Sequence, residues 1–385
     1  MAVADLVVGV DLATAEARAV AMDGGGRVYG EARRRLPAPA SSRPGWSEQD
    51  PEAWGPAVAA AVGDVGEVAE GSRAGRVVAV SVCATSGTVV ALDGRGAPIG
   101  TALTYADQRA VAEAERVGVP PSFGLPKWGW LVANRPGVVA LAHASDVVVG
   151  RLVGGGSRVA TDWSHALKSG FDPLREEWAA ESIAALGIGP SLLPEVRRPT
   201  TSAGRVCREA AEATGLPVGC DVRLGMTDGC ASQLAAGAGE PGRFVSVLGS
   251  TLVLKGASRS RVVDPSGAVY SHRHPDGWWL PGGASSTGGR ALVEGFPGRD
   301  PAELDAVAAA HGPATCVIYP LVGRGERFPF VAPGAEGFVV GEPAGEADRI
   351  RATAEGVAFV ERLGYEWLAA LGAPATAPVV VTGGG

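Results

Sequence analysis

Four polar stretches that follow apolar runs carry the residue types that suit phosphate and sugar chemistry. They are Asp11 with Thr14, Thr85 with Ser86, Asp228, and the turn Gly249-Ser250-Thr251. A polar side chain at the end of an apolar strand is exposed there. A turn of small residues can also present its backbone N–H groups to a phosphate without the help of a lysine. The pattern therefore predicts ligand contacts at these four strand ends.

Asp228 lies between a predicted strand and a predicted helix in RLGMTDGCASQLAAG. A carboxylate held there can act as a general base that takes the proton from a sugar hydroxyl attacking a γ-phosphate. The simpler alternative is that Thr227 or Asp228 only caps a helix beginning at Gly229. Spacing alone leaves both interpretations open.

Asp11 has a comparable pair of interpretations. As a carboxylate it can hold Mg²⁺ through water, because hard cations take oxygen ligands, and Thr14 and Arg18 would then lie beside the phosphates. Alternatively, Asp11 only forms the turn between two strands.

The stretches CATSGTVV and LTYADQRA hold the candidate sugar contacts. Thr85 and Ser86 can either hydrogen-bond a polyol or simply form a turn. Asp107 is a further candidate, although with Arg109 it could equally form a surface ion pair that contributes little.

Other conspicuous residues have structural interpretations. The five dispersed histidines are expected to be structural or exposed. The tryptophans at 128, 130, 278 and 279 are expected in the core, and GRGERFPF reads as a charged surface loop.

Bulk properties exclude several classes of protein. The chain has 385 residues and net charge −7, and neither a basic stripe nor an apolar run of membrane-spanning length is present. These features favour two or more domains and argue against nucleic-acid binding and membrane insertion. The amino terminus lacks the pattern of a signal peptide. Five scattered cysteines without a CxxC motif argue against metal ligation and disulfides, and fit the cytoplasm. Oligomeric state is not readable.

The predicted elements repeat. Strand–turn–strand units at 7–23 and 242–258 have the same shape, and Asp50 with Pro51 predicts a helix start. GxGxxG after a first strand and GxxxxGK[ST] are both absent. A duplicated strand–hairpin–helix unit with a cleft between its halves is the architecture of actin-like ATPases, in which hairpin tips can face a phosphate chain.

Taken together, these stretches resemble the FGGY family of carbohydrate kinases over nearly the whole chain. The similar segments are GVDLATAEARAVAMD, ATSGTVVALD, GMTDGCASQLAAGA, SVLGSTLVLK and VVVTGGG. Within the family, HALKSGFDP, YPLVGRGERFPF and ERLGYEWLAALGA resemble the short D-ribulose kinases, a branch also labelled xylulose-kinase-like.

The resemblance implies a two-domain α/β fold of the actin-like ATPase type (ribonuclease-H-like, duplicated) with a central cleft, and ATP with Mg²⁺ as cofactors. It implies that Asp228 is the base and, with Asp11, holds the metal. It implies that Thr14, Arg18 and the Gly249-Ser250-Thr251 turn contact the phosphates of ATP. It also places Thr85, Ser86, Asp107 and Asp228 at the sugar, and Gly383 and Gly384 against the nucleotide.

We expect a sugar-side domain over 1–224 and a nucleotide-side domain over 225–385 that is truncated at its carboxyl end. Ala13 stands where the family usually has glycine, and its methyl group is expected to weaken ATP binding.

The function implied is phosphorylation of D-ribulose to D-ribulose 5-phosphate. The alternatives are a D-xylulose or other polyol kinase, a sugar-binding protein without catalysis, and another actin-like ATPase.

Overall fold

The computed structural model describes residues 4–71 and 75–383, and it divides the chain into two compact units. The first unit is Met1–Ala231 and the second is Ser232–Gly385. The sequence interpretation set its boundary between residues 224 and 225, a few residues before the division seen here.

The first unit contains a six-stranded sheet, a four-stranded sheet and two two-stranded sheets. Its strands are β1 (Ala4–Leu12), β2 (Glu16–Asp23), β3 (Val28–Arg35), β4 (Glu48–Gln49), β5 (Gly75–Ala84), β6 (Val89–Leu92), β7 (Ala102–Leu103), β8 (Ala140–His143), β9 (Thr161–Asp162), β10 (Phe171–Asp172), β11 (Glu177–Trp178), β12 (Val196–Arg197), β13 (Ser202–Arg205) and β14 (Asp221–Thr227). The large sheet has the order β13-β14-β5-β1-β2-β3.

Eight α-helices begin in the part of this unit that the structure describes. They are α1 (Trp54–Gly71), α2 (Val111–Val117), α3 (Gly124–Asn134), α4 (Ala144–Val153), α5 (Trp163–Ala166), α6 (Ala180–Ala185), α7 (Arg208–Thr214) and α8 (Asp228–Ala235). The predicted start of α1 is confirmed: Asp50 accepts a hydrogen bond from the backbone N–H of Glu52 at 2.9 Å, and Pro51 opens a short 3₁₀ turn that leads into the helix.

Three neighbouring strands of the large sheet run parallel, and this arrangement positions the candidate site. β5 pairs in parallel with β1 on one side and with β14 on the other. Because parallel strands end at the same edge of a sheet, Asp11, Thr85 and Asp228 all lie at that edge. The β1–β2 hairpin adds Arg18, which is the register partner of Asp11.

Alternation along β1 separates the core from the open face of this sheet. Val8 and Val10 are buried in one hydrophobic cluster with Trp54 and Val58 of α1. Since successive side chains of a strand point to opposite faces, Asp11 lies on the face away from α1.

The strand that follows the Thr85-Ser86-Gly87 turn does not continue the large sheet. This strand, β6, belongs to the separate sheet β4-β7-β6-β8. All four β6 residues are buried. Val90 and Leu92 lie in the hydrophobic cluster that contains Val8 and Val10, and the alternate residues of β6 lie in a second cluster, so the strand is covered on both faces.

The second unit contains a smaller sheet built on a similar hairpin. Its strands are β15 (Phe244–Leu248), β16 (Leu252–Gly256), β17 (Tyr270–Arg273), β18 (Trp279–Ala284), β19 (Val317–Glu326), β20 (Ala332–Val340) and β21 (Val380–Thr382), and its further helices are α9 (Arg290–Gly295), α10 (Pro301–Ala310) and α11 (Glu346–Ala370). Of these strands, β19 and β20 form a two-stranded sheet of their own. The other five form a sheet of order β17-β18-β16-β15-β21, in which β21 is parallel to β15. In each unit, an antiparallel hairpin therefore has a parallel strand beside its first strand, and the hairpins themselves are at the two positions that the sequence predicted.

Across residues 4–71 and 75–383, no helix combines the length and the apolar character that crossing a membrane requires.

Gly225 allows β14 to approach β5 closely, and this predicts a stability effect. A Cβ atom at Gly225 would overlap the backbone carbonyl of Val82. We expect Gly225→Ala to lower the free energy of unfolding by about 1–3 kcal/mol, since backbone atoms must move to admit the methyl group. Thermal unfolding should show a clearly lower midpoint. Gly66→Ala in α1 is the matched control: its Cβ meets no atom within 4 Å, and alanine favours the helix by up to about 1 kcal/mol. Equal midpoints for Gly225→Ala and the unmodified chain would contradict the close approach.

Candidate active site

Two carboxylates and a thiol meet at the carboxyl edge of the large sheet. Cys83 Sγ lies 3.6 Å from Asp11 Oδ1, and Cys83 is the register partner of Asp11. The negative charge of Asp228 contributes to raised pKa values at both Asp11 and Cys83. Asp228 thus lies close enough for its charge to act on Asp11 and Cys83; the roles of the two aspartates stay predictions.

The environment of Asp11 disfavours its ionised form. Burial is the main cause of its raised pKa, and the charge of Asp228 adds to it. Arg18 opposes the shift: its Nη1 lies 3.0 Å from Asp11 Oδ2, while its Nε donates to Glu16 Oε1 at 2.6 Å. A positive charge arriving between the two aspartates would therefore be favourable.

Asp228 is the first residue of α8, so its backbone follows β14 directly. Its Oδ1 accepts a hydrogen bond from the N–H of Gly229 at 2.6 Å. The donor is the adjacent residue, whereas a helix cap accepts from the second or third N–H of the helix, and the helix begins at Asp228 rather than at Gly229. The side chain is only partly buried. The carboxylate is therefore held at the helix start and remains accessible.

A row of side chains crosses four strands on the open face of the sheet. Cys83, Asp11, Arg18 and Arg33 are successive register partners on β5, β1, β2 and β3. They line a 410 Å³ pocket. Arg33 was not singled out from the sequence, because nothing local in the β3 segment distinguishes it from the neighbouring arginines.

The β1–β2 turn carries Ala13 and Thr14. The N–H of Ala13 donates to Glu16 O at 3.0 Å, and Thr14 O accepts from the buried Gln49 amide at 2.8 Å. Among the described residues, the non-glycine positions with positive φ are Glu176 and Thr200. Alanine at position 13 therefore fits the turn without backbone strain.

The turn after β5 presents an unsatisfied hydroxyl. Ser86 Oγ is buried and has no hydrogen-bond partner in the described part of the chain. Buried polar atoms normally have partners, so this oxygen is suited to a ligand hydroxyl. The turn is held by Lys127, whose Nζ donates to Gly87 O at 2.5 Å and to Thr104 O at 2.8 Å. Burial lowers the pKa of Lys127 to about 7.

Asp107 and Arg109 form an ion pair, but the expectation of a surface pair is wrong. Their side chains are 0% and 1% exposed. Arg109 lies 3.6 Å from the ring centroid of Trp46 and also bonds Glu48. The aromatic cover removes the pair from water, and spacing in sequence does not reveal such cover. Asp107 also accepts from the N–H of Ser47 at 2.6 Å; its contact with a sugar stays a prediction.

In the second unit, the Gly249-Ser250-Thr251 turn joins β15 to β16. Backbone bonds fix it: Gly289 N–H donates to Gly249 O at 2.8 Å, and Leu252 N–H donates to Thr287 O at 2.7 Å. Gly383 follows β21 and has φ +120°; a Cβ there would overlap the carbonyl of Leu248. The turn and Gly383 therefore lie at the same edge of this sheet. Gly384 lies outside the described residues.

Glu326 is buried, so the expectation of a charged surface loop is wrong at this position. It is 3% exposed. Its carboxylate accepts bonds from the hydroxyls of Ser285 and Tyr319 at 2.9 Å and from the N–H of Ser286 at 2.6 Å. Ser285 and Ser286 belong to the segment that bonds the backbone of Leu252, so Glu326 supports the 249–251 turn indirectly.

The two aspartates suit a magnesium ion. Mg²⁺ is usually held by one or two carboxylates together with water and substrate phosphates. Asp11 and Asp228 supply two carboxylates, and Asp228 is close enough for its charge to contribute to the raised pKa of Asp11. Within the described ranges, no cluster of three or more His, Cys, Asp and Glu side chains could hold a metal by itself. The donor set therefore fits an ion whose other ligands come from water and phosphate.

Comparisons with known proteins match these features. The profile of the FGGY family of carbohydrate kinases matches residues 6–235 with its N-terminal domain and residues 247–385 with its C-terminal domain. The chain belongs to the FGGY family of carbohydrate kinases. It accordingly has the two-domain actin-like ATPase fold that the sequence predicted.

Individual members of the FGGY family share between about a quarter and a third of their residues with this chain. The xylulose kinase of Streptomyces coelicolor is 34% identical over 300 residues, which cover 72% of this chain and 59% of that protein. The structure of xylulose kinase from Rhodospirillum rubrum is 28% identical with a TM-score of 0.83, covering 96% of this chain and 80% of that one. A xyloylose kinase structure from Brucella ovis has a TM-score of 0.87 at 24% identity, with coverages of 98% and 82%. The matched region thus spans less than two thirds of the Streptomyces relative.

The raised pKa of Asp11 predicts a pH-dependent effect on stability. Because the folded-state pKa lies above its ordinary value of 3.8, the free energy of unfolding falls as pH rises through the interval between the two values. Asp11→Asn lacks this loss, so we expect it to unfold at a higher temperature than the unmodified chain at pH 7. The difference should shrink as pH falls through that interval.

Asp5→Asn is the control, because Asp5 is exposed at the other end of β1, and it should leave the midpoint unchanged. A lower unfolding midpoint for Asp11→Asn at pH 7 would show that its bond to Arg18 outweighs its burial.

Proposed function

We propose that this chain provides an ATP-dependent kinase activity toward a ketopentose, with D-ribulose as the first candidate substrate and D-ribulose 5-phosphate as its product. The supporting observation is the meeting of Asp11, Ser86 and Asp228 at the carboxyl edge of adjacent parallel strands. This edge combines a carboxylate that can accept a proton, a buried hydroxyl without a partner and a second carboxylate suited to Mg²⁺.

Asp228 would act as the general base. The acceptor hydroxyl of the sugar would lose its proton to Asp228 as its oxygen attacks the γ-phosphorus of ATP, and ADP would leave. Ser86, with Thr85 and Asp107 nearby in the first unit, would orient the sugar. Because positioning and charge neutralisation dominate phosphoryl transfer, rigid strand ends are the expected carriers of these groups.

Asp11 and Asp228 would hold Mg²⁺, which neutralises phosphate charge when bound. Thr14 and Arg18 would contact the phosphates, and Arg33 adds a further guanidinium in the same row. We also propose that Gly249, Ser250 and Thr251 border the phosphates, because the backbone N–H groups of such a turn can bind oxyanions. Gly383 and Gly384 would contact the nucleotide.

The identity of the sugar is the most specific element of the proposal. D-Ribulose and D-xylulose differ in the orientation of one hydroxyl, so they differ in which hydrogen bonds a fixed pocket can satisfy. Several similar proteins are xylulose kinases, which makes D-xylulose the leading alternative. Other polyols are further alternatives.

Replacing the proposed base predicts a specific kinetic result. Asp228→Asn should lower kcat by about 10²–10⁴-fold, the usual contribution of a general base, while pentulose binding measured by calorimetry persists. Asp221→Asn is the matched control, because Asp221 lies at the opposite end of β14 and bonds Ser202 and Arg223. Near-normal turnover of Asp228→Asn would remove Asp228 from the base role.

A coupled assay of ADP release across pentuloses and polyols tests the substrate class. Sugar-stimulated ADP release supports the kinase. Heat of binding from a pentulose without any heat from ATP would instead support a sugar-binding protein, and ATP binding without sugar stimulation would support another actin-like ATPase.

A further inference from the structure

A buried trio of polar residues joins the two strand ends that carry Ser86 and Asp228. Asp162, Ser164 and His165 are 2%, 0% and 0% exposed. Asp162 Oδ1 accepts from the backbone N–H groups of Ser164 at 2.7 Å and His165 at 3.2 Å. Ser164 Oγ also donates to Asp162, and His165 Nδ1 bonds its carboxylate. The trio is therefore internally fixed at the start of α5.

Two bonds lead from this trio to the strand ends. The N–H of Thr227, the residue before Asp228, donates to Ser164 Oγ at 2.9 Å. His165 Nε2 lies 3.2 Å from the carbonyl oxygen of Ala84, which precedes Thr85 and Ser86. One short helix thus contacts the backbone immediately before the proposed base and immediately before the proposed sugar turn.

These bonds occur where the ladder between β14 and β5 is irregular. The register runs regularly up to Leu224 opposite Val82, and then shifts before Thr227 pairs with Ala84. A bulge of this kind redirects the residues that follow it and weakens strand pairing locally. The side chains of Ser164 and His165 supply fixed partners at that point.

The charge of His165 suits its two contacts. Burial alone would lower its pKa, but the Asp162 carboxylate outweighs burial, and Asp146 and the Ala84 carbonyl add to the effect, so that the pKa is about 9. At neutral pH the ring is an imidazolium, which donates from both nitrogens. It can therefore bond Asp162 and Ala84 at once.

We propose that Asp162, Ser164 and His165 form a positioning unit that fixes Asp228 through Thr227 and Ser86 through Ala84. This proposal rests on the proposed kinase function, because it assigns these residues no contact with substrate. Their effect passes through the backbone of the two strand ends.

A second buried pair nearby offers a matched control. His143 and Asp146 also bond each other, and Ser145 Oγ donates to Asp146 Oδ1 at 3.2 Å. The rings of His143 and His165 lie 5.5 Å apart. The ring of His143 bonds the side chains of Thr161 and Ser169, and neither of these residues belongs to β5 or β14.

Ser164→Ala and Ser145→Ala therefore each remove a serine hydroxyl that donates to the aspartate of a buried His–Asp pair. Ser164→Ala should lower kcat by about 10- to 100-fold, because a small displacement of a reacting group is costly, with the sugar KM changed by less than about threefold. Ser164→Thr, which keeps the hydroxyl, should restore most of kcat. Ser145→Ala should leave kcat unchanged.

His165→Gln tests the other branch and guards against a Ser164→Ala protein that does not fold. It should raise the sugar KM by about 10-fold with a smaller change in kcat, because its contact leads to the Ser86 turn. A split between kcat and KM across the two variants is not expected from a general loss of stability.

Hydrogen exchange separates this proposal from the kinase function. In Ser164→Ala, exchange should accelerate in the peptide that contains Thr227 and Asp228, whereas Ser145→Ala should leave that peptide protected. Accelerated exchange in a chain without sugar-stimulated ADP release would support the positioning unit and contradict the kinase proposal. Unchanged exchange at Thr227, or equal loss of kcat in Ser164→Ala and Ser145→Ala, would overturn the positioning unit.

Discussion

The parallel pairing of β1, β5 and β14 is the constraint on which the candidate site depends. Parallel strands end at a common edge, and polar residues lie at that end of each strand: Asp11 near the end of β1, Ser86 just after β5 and Asp228 directly after β14. The register that pairs Asp11 with Cys83 and Thr227 with Ala84 sets their lateral spacing. The backbone hydrogen bonds of the sheet therefore set the positions of the candidate site residues.

This arrangement places two carboxylates close together, and their proximity contributes to the raised pKa of Asp11. Burial and the neighbouring Asp228 both disfavour ionised Asp11, and Arg18 offsets part of that effect. A site that disfavours the ionised Asp11 carboxylate is favourable for a cation and for the phosphate that a cation accompanies. Stability and the proposed function thus oppose each other at Asp11, as is common at functional sites.

Local sequence patterns predicted the strands, the α1 start and the polar strand ends, because each depends on residues close together in the chain. Contacts between distant segments were not predictable in this way. Thr227 and Ser164 are 63 positions apart, and His165 was expected to be only structural or exposed. The burial of the Asp107–Arg109 pair by Trp46, and of Glu326 by its hydroxyl donors, likewise depends on tertiary packing that spacing does not encode.

A crystal structure with a bound pentulose, Mg²⁺ and a non-hydrolysable ATP analogue would test the central claim most directly. The account predicts that the phosphate-accepting hydroxyl lies about 3 Å from the Asp228 carboxylate, with Ser86 Oγ bonded to the same sugar. A pentulose bound away from the carboxyl edge of β1, β5 and β14, with Asp228 bonded only to the N–H of Gly229, would contradict it.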